Sequence, residues 1–390
     1  MPASLLPRPP LHSRLAVLAA LVLVGLGGSA FPAGAADPAD HVVPAYGVGA
    51  LRAEWLADFP LGLEDLARMG QARIGLYRAR FREDQAGVDG SYTNWSGLDN
   101  LARAAALNGV TLQAVLINMP LDVYTPPKTD SERARFAGFA AAAVRRYGPD
   151  GSFWTECGCP KLPVRVWEVW NEPNVAPFWG LPNPAQYGAL LRETRSALRG
   201  ADPGARVLFG GLAYPSTTSA TKLAPNSFLR NVIAAVGAGQ FDALALHDYK
   251  PDAQRAVNTY ISGTVATLKT YGGKSANGAP SHQVWVNEFG RPTQPDDPAT
   301  STNEQATSEA SQRAWLDTFL NQLLPHRSDW NLGPVMWYSV RDSNAATASW
   351  LRQGLRRTTS DDTDAGAKPS WDAYTARSGP AELLDLPQLH

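Results

Sequence analysis

The 390-residue sequence predicts an α/β fold, a single-domain (β/α)8 TIM barrel, on three observations. Between about His41 and Arg377, short apolar segments alternate with longer amphipathic ones eight times, and strands joined through helices run parallel. Polar residues gather at the ends of many different apolar segments, as at a barrel mouth, rather than at one switch point. No glycine-rich phosphate loop follows the first strand, which argues against an open doubly wound sheet, and no Pro- or Ser-rich linker divides the chain.

The first strand is expected at Val43 to Ala50, followed by a helix from Pro60 to Met69 with proline in its first turn and Gly70 beyond its end. Arg73 to Phe81 reads as strand two. Trp95 to Leu107 places Trp95, Leu98, Leu101, Ala102 and Ala105 on one helical face. Strand three spans Thr111 to Ile117, and Asp130 opens a helix that runs to Tyr147 and closes at Gly148. Strand four is the β-branched and aromatic run Val164-Arg165-Val166-Trp167-Glu168-Val169-Trp170, which stops at Asn171-Glu172-Pro173-Asn174. Asn183 caps a helix with Pro184 at its first position. Strand five is expected at Arg206 to Gly210, with Asn226 capping the helix that ends near Gly237. Strand six covers Phe241 to Leu246, with a helix from about Ala253 to Tyr271. Strand seven, Gln283 to Val286, is followed by a helix from Glu304 to Leu324; strand eight, Pro334 to Ser339, is followed by a short helix, Pro369 to Ala376.

Residues 1–36 are of another kind. Arg8, His12 and Arg14 precede the apolar run Leu15 to Leu26, and Ala33-Gly34-Ala35 supplies small residues for cleavage near Ala35 or Ala36. This predicts a secretory signal peptide, a barrel domain over residues 37–378, a flexible tail over 379–390, and a secreted or periplasmic protein with no membrane contact after cleavage. A net charge of −1, with both signs scattered, gives no surface for nucleic acid. The two cysteines, Cys157 and Cys159, are expected to form a local disulfide, because no further Cys or His stands close enough to complete a metal site. Neither a metal nor an organic cofactor is expected, and a monomer is the default.

A second apolar strand ends in a carboxylate at Val284-Trp285-Val286-Asn287-Glu288-Phe289-Gly290. It lies three strand–helix units after strand four, which sets Glu172 and Glu288 across the barrel mouth. Paired carboxylates over a pocket are what acetal cleavage requires: one protonates the departing oxygen, and the other attacks or stabilises the anomeric carbon. The separation of the two decides between retention and inversion of configuration. Glu168 shares parity with Glu172 on a regular strand, so it reads either as a supporting acid or as part of a polar layer paired with an arginine. Arg78 and Arg80 share one parity on strand two, so either could project into the barrel.

Trp-Glu-Val-Trp-Asn-Glu-Pro-Asn at 167–174, Leu-His-Asp-Tyr at 246–249, Trp-Val-Asn-Glu-Phe-Gly at 285–290 and Trp337 resemble the retaining glycoside hydrolases of clan A, most of all the family 39-like branch, with family 5 next. The resemblance runs from about Arg78 to Tyr374. It implies Glu172 as acid/base and Glu288 as nucleophile, with a carbohydrate as the substrate. It further implies Asn171 as a hydrogen-bond partner of the sugar 2-hydroxyl, Arg78 as the cation that keeps Glu288 ionised, His247 and Tyr249 as residues that orient Glu288 or touch the sugar, and Trp337 as the floor under the ring. Phe178 and Trp179 would line outer subsites. Asn118 stands near the tip of strand three where many relatives place a histidine, Asn287 where threonine is frequent, and Arg291 where an aromatic residue is common. Transglycosylation by the same chemistry and a catalytically silent sugar-binding barrel are the alternative functions.

Overall fold

The structure, a computed structural model, describes residues 42–49, 60–87, 90–293, 307–343, 352–359, 364–378 and 383–385. The expected signal peptide lies outside them. No helix among the described residues is long and apolar enough to cross a membrane.

A short strand, β1 (Val42–Pro44), leads into eight strands that close as a parallel barrel in sequence order: β2 (Tyr46–Gly49), β3 (Leu76–Arg82), β4 (Thr111–Ile117), β5 (Val166–Val169), β6 (Arg206–Ala213), β7 (Ala243–Asp248), β8 (Gln283–Phe289) and β9 (Leu332–Tyr338). The last strand pairs with the first, Tyr46 to Val335 through Gly49 to Tyr338. Two short antiparallel pairs lie outside the barrel. β10 (Arg356–Thr358) pairs with β11 (Asp364–Ala367), and β12 (Leu383–Asp385) runs antiparallel to β1. The segment expected to be a flexible tail therefore holds a short strand.

The helices are α1 (Pro60–Gln71), α2 (Glu83–Ala86), α3 (Ser96–Leu107), α4 (Asp130–Tyr147), α5 (Phe153–Glu156), α6 (Ala176–Trp179), α7 (Pro184–Ala201), α8 (Pro225–Val236), α9 (Ala253–Arg255), α10 (Ser262–Tyr271), α11 (Glu309–Leu323) and α12 (Pro369–Ser378). Their caps explain their starts. Thr129, not Asp130, caps α4: its hydroxyl accepts from the Glu132 N–H, and the Glu132 carboxylate accepts in return from the Thr129 N–H. Asn183 caps α7 as expected, accepting from the N–H groups of Ala185 and Gln186. Asn226 does not cap α8, which begins one residue earlier at Pro225; its Oδ1 instead accepts from the Thr264 hydroxyl. The helix expected over 253–271 is broken by a π-helical stretch at Ala256–Ile261. α11 starts at Glu309 with Ser308 as its cap, later than expected.

Helices cover the outside of the barrel, so its strands are buried on both faces and read as continuous apolar runs. Period-2 alternation sorts each strand. Leu76, Val166, Leu208, Ala243, Ala245, Trp285 and Met336 fill the lower interior, while Phe81, Trp167, Phe209, Phe289 and Trp337 face the helices. Cys157 and Cys159 are disulfide-bonded in the loop before β5.

Candidate active site

Two residues above the lower interior layer, alternation turns the filling polar. Leu76 is followed inward by Arg78, Val166 by Glu168, and Trp285 by Asn287. Glu168, fully buried, accepts from Arg78 Nε (2.7 Å) and Nη2 (2.9 Å), Gln113 Nε2 (2.6 Å), Asn287 Nδ2 (2.8 Å) and the Gly211 N–H (2.8 Å). Five donors on one carboxylate are what lets a buried charge persist away from water. Glu168 is thus the centre of a polar layer paired with Arg78. Arg78 reaches on, donating through Nη1 to Glu288 and through Nη2 to Asn171 Oδ1 (2.8 Å). That second bond fixes the Asn171 amide with its NH2 free of Arg78 and available to a ligand.

The two terminal carboxylates reach the mouth through breaks in strand regularity. After Val169, both Trp170 (φ 71°) and Glu172 (φ 43°) adopt the left-handed conformation, uncommon for side-chain-bearing residues and concentrated at functional sites. The turn is pinned: the Glu172 N–H donates to Gly211 O, Trp170 Nε1 donates to Phe178 O, and Asn174 bonds Ala213 and Leu223. On β8 an extra residue enters the pairing with β7, so that Leu246 lies opposite Val286 but His247 lies opposite Glu288. This bulge lets Asn287 and Glu288, which simple alternation would send to opposite faces, both serve the interior. Another break on β6, between Phe209 and Leu212, places two glycines at the mouth. A Cβ on Gly210 would stand 2.6 Å from the carbonyl oxygens of Val169 and Trp170, and one on Gly211 would stand 1.9 Å from His247 Nε2. Only glycine leaves room for the imidazole there.

His247, itself buried, bridges the acids: its Nδ1 is 2.8 Å from Glu172 Oε1 and 3.5 Å from Glu288 Oε2. The Tyr249 hydroxyl donates to Glu288 Oε2 at 2.6 Å. One carboxylate oxygen from each glutamate and a His247 ring nitrogen all lie within 4.8 Å of one another.

The two acids have opposite proton affinities. Burial pushes the Glu172 carboxyl up, the hydrogen bond and charge of His247 pull it down, and the nearby Glu288 raises it again; the net direction is upward. Burial also acts on Glu288, but the charges of His247 and Arg78 and the Tyr249 hydrogen bond outweigh it and hold this carboxyl below the usual range. Glu168 and Glu288 in turn keep Arg78 charged despite its burial. One acid that keeps its proton beside one that gives it up can perform acid catalysis and nucleophilic attack together. The same Glu172, His247 and Glu288 are the one group among the described residues that could ligate a metal ion. The Arg78 guanidinium on Glu288 already neutralises that acid and opposes a second cation.

The remaining expected residues divide. Asn118 is buried at the end of β4 with its Oδ1 unpaired, and Phe178 is half-buried against Tyr124, ring centroids 4.6 Å apart. Trp337 and Trp179 require correction. Met336 faces the barrel interior, so Trp337 points the other way; it is 0% exposed, packed edge-on against Phe289 and Trp315, with Nε1 donating to Gln353 O. Tyr338 holds the inward position, its ring edge-on to Tyr249 at 6.3 Å. Trp179 is likewise 0% exposed, packed against Trp170 and Tyr187. Asn287, which stands where threonine is frequent in the resembled enzymes, donates to Glu168. Sequence reading missed Gln113, Gly211, Asn174, Tyr124 and Tyr338; for Gly211 the pair of glycines ending an apolar run was an available signal. A cavity of about 550 Å³ among Ser275, Asn277, Arg327, Ser328 and Asn331 lies where β8 and β9 begin, at the opposite end of the barrel, and has no carboxylate in its lining.

No protein-family model matches the chain, and no curated protein matches it in sequence. Solved structures do. A family 39 glycoside hydrolase from the gut symbiont Bacteroides cellulosilyticus WH2 superposes with a TM-score of 0.59 at 19% identity over 86% of this chain and 63% of that one. A monomeric beta-xylosidase from Caulobacter crescentus CB15 gives 0.60 at 18% identity over 88% and 71%. An exo-beta-1,4-mannosidase from Opitutaceae bacterium strain TAV5 gives 0.54 at 18% identity over 86% and 57%. The chain thus spans less than two thirds of the length of the first and third. At these identities the likeness is one of fold.

Proposed function

We propose that this chain is a retaining glycoside hydrolase of clan A, of the family 39 kind, that cleaves β-linked glycosides of an oligo- or polysaccharide by double displacement. The observation that carries the reading is the Glu172–His247–Glu288 cluster, with one carboxylate oxygen of each acid within 4.8 Å of the other and the two acids shifted in opposite directions. Retaining enzymes hold their carboxyl groups about 5 to 5.5 Å apart, whereas inverting ones need about 6.5 to 9.5 Å to admit water between acid and sugar. The fold shared with a beta-xylosidase and an exo-beta-1,4-mannosidase supports a sugar as substrate.

In the first step a Glu288 oxygen attacks the anomeric carbon as the C–O bond to the leaving group breaks, and Glu172 gives its proton to the departing oxygen. Arg78 and Tyr249 keep Glu288 ionised and aimed. Once Glu288 is esterified its negative charge is gone, the upward push on Glu172 weakens, and Glu172 can take a proton from water. That water attacks the anomeric carbon, the ester bond breaks, and both acids return to their starting forms. The Asn171 NH2 donates to the sugar 2-hydroxyl, an interaction that strengthens in the transition state. Asn118 and His247 contact the glycone, and Tyr338 takes the place beneath the ring first expected for Trp337.

The test is Glu288→Ala on a panel of aryl β-glycosides, with product anomers followed by NMR. Turnover should fall on the order of 10⁴-fold, and wild type should release the retained anomer first. Turnover that survives the substitution, or an inverted first product, would falsify the reading.

A further inference from the structure

Three of the five exposed large hydrophobic side chains among the described residues, Leu121 (96% exposed), Val123 (64%) and Leu181 (65%), stand on two loops that leave neighbouring strands at the barrel mouth. Leu121 is on the loop after β4, where it and Asp122 hold left-handed conformations, φ 53° and 60°. Leu181 follows α6 on the loop after β5. The Tyr124–Phe178 contact joins the two loops, and Tyr124 also meets Trp170, the residue two before Glu172. From the acids outward the surface therefore runs through Tyr124 and Phe178 to three apolar side chains in water.

Charge and direction relate this surface to the chemistry. Burial pushes the Tyr124 phenol up, and the charges of Arg80, Glu288 and Glu172 all act on it, so it lies within the field of the carboxylates. Its hydroxyl is buried with no hydrogen-bond partner. Phe178 lies one short turn beyond Glu172, through Val175 N–H to Glu172 O and Phe178 N–H to Val175 O. The acid protonates the departing oxygen, so the leaving group lies on the Glu172 side of the scissile bond, while Glu288 attacks from the opposite face.

We infer that Tyr124, Phe178, Leu121, Val123 and Leu181 form a leaving-group subsite for an apolar aglycone, an alkyl or aryl group attached to the sugar, with the Tyr124 hydroxyl bonding the glycosidic oxygen or a neighbouring polar atom. This rests on the glycosidase reading and names its substrate class. A purely hydrophilic saccharide leaving group would leave the three side chains in water with nothing gained on binding.

The test compares hexyl and methyl β-glycosides of whichever sugar the full-length enzyme releases fastest from the aryl panel, since the two alcohols are similarly basic leaving groups. The hexyl-to-methyl ratio of kcat/KM should exceed about tenfold, and the double variant Leu121→Asp/Leu181→Asp should bring it towards one. Val123→Ser, a milder change, should lower it part way. Leu107→Asp, at an exposed site where α3 ends below the barrel, should leave it as in wild type. A wild-type ratio near one, or a ratio the aspartates do not move, overturns the subsite while leaving the glycosidase intact. Failure to cleave any glycoside overturns both. A wild-type dimer in sedimentation that the aspartates dissolve assigns the lip to a second copy of the chain and overturns the subsite.

Discussion

At the scale of single residues, the paired acids differ through their neighbours rather than their chemistry. Arg78 and Tyr249 are bonded to Glu288 and not to Glu172, and His247 is shared between them. The pH dependence follows. Activity needs Glu288 ionised, so kcat/KM should rise with pH through its lowered pKa and then level off. It should fall again as Glu172 loses its proton, at a pH above the ordinary carboxylate range because that acid is raised. Glu172→Gln should remove the alkaline limb and keep the acid one, on a substrate whose leaving group departs without protonation. An alkaline limb that persists in this variant would assign it to another group, with Tyr249 and Tyr124 next in line. Both glutamates were legible in the sequence because each ends an apolar run. Glu168 was visible, but its role was open: parity allowed either a second acid or a structural anion, and only the five donors around it decide for the latter.

At the scale of elements, all eight barrel strands and their order were readable from alternating segments, because parallel strands buried on both faces leave strong apolar runs. What the sequence hid were the breaks. Trp337 and Tyr338 are adjacent aromatics near the end of β9, and a shift of one residue exchanges pocket for core. The bulge at Asn287 and the glycine pair on β6 likewise depend on register with a neighbouring strand, which no local pattern encodes. Gly211 joins three of these devices, since its N–H donates to Glu168, its carbonyl accepts from Glu172, and its missing Cβ admits His247. Gly211→Ala should therefore displace the imidazole and cost about 10²-fold in kcat/KM, as misplacement of a catalytic group by about 1 Å does. A Gly211→Ala variant that keeps wild-type kcat/KM would show that the steric account is wrong.

For the whole molecule, we propose export, on the leader-like residues 1–36 and the Cys157–Cys159 disulfide, as disulfides persist outside the reducing cytoplasm. Mass spectrometry of the protein recovered outside the cytoplasm should give a first residue of Ala36 or Asp37 and an intact disulfide; a retained Met1 would sink the proposal. The proposed export bears on one feature of the barrel. β2 meets β9 only after nearly the whole chain has been laid down, so the closing pairs Tyr46 with Val335 through Gly49 with Tyr338 are among the most distant contacts possible. Closing so long a loop adds little entropic cost per added residue, yet pairings of this kind slow folding. A chain delivered from its N-terminus therefore presents β2, and then each newest strand, as an open edge able to recruit another chain. Ring closure is thus a race, and the time between the appearance of β2 and of β9 sets how long the nascent chain is exposed to aggregation.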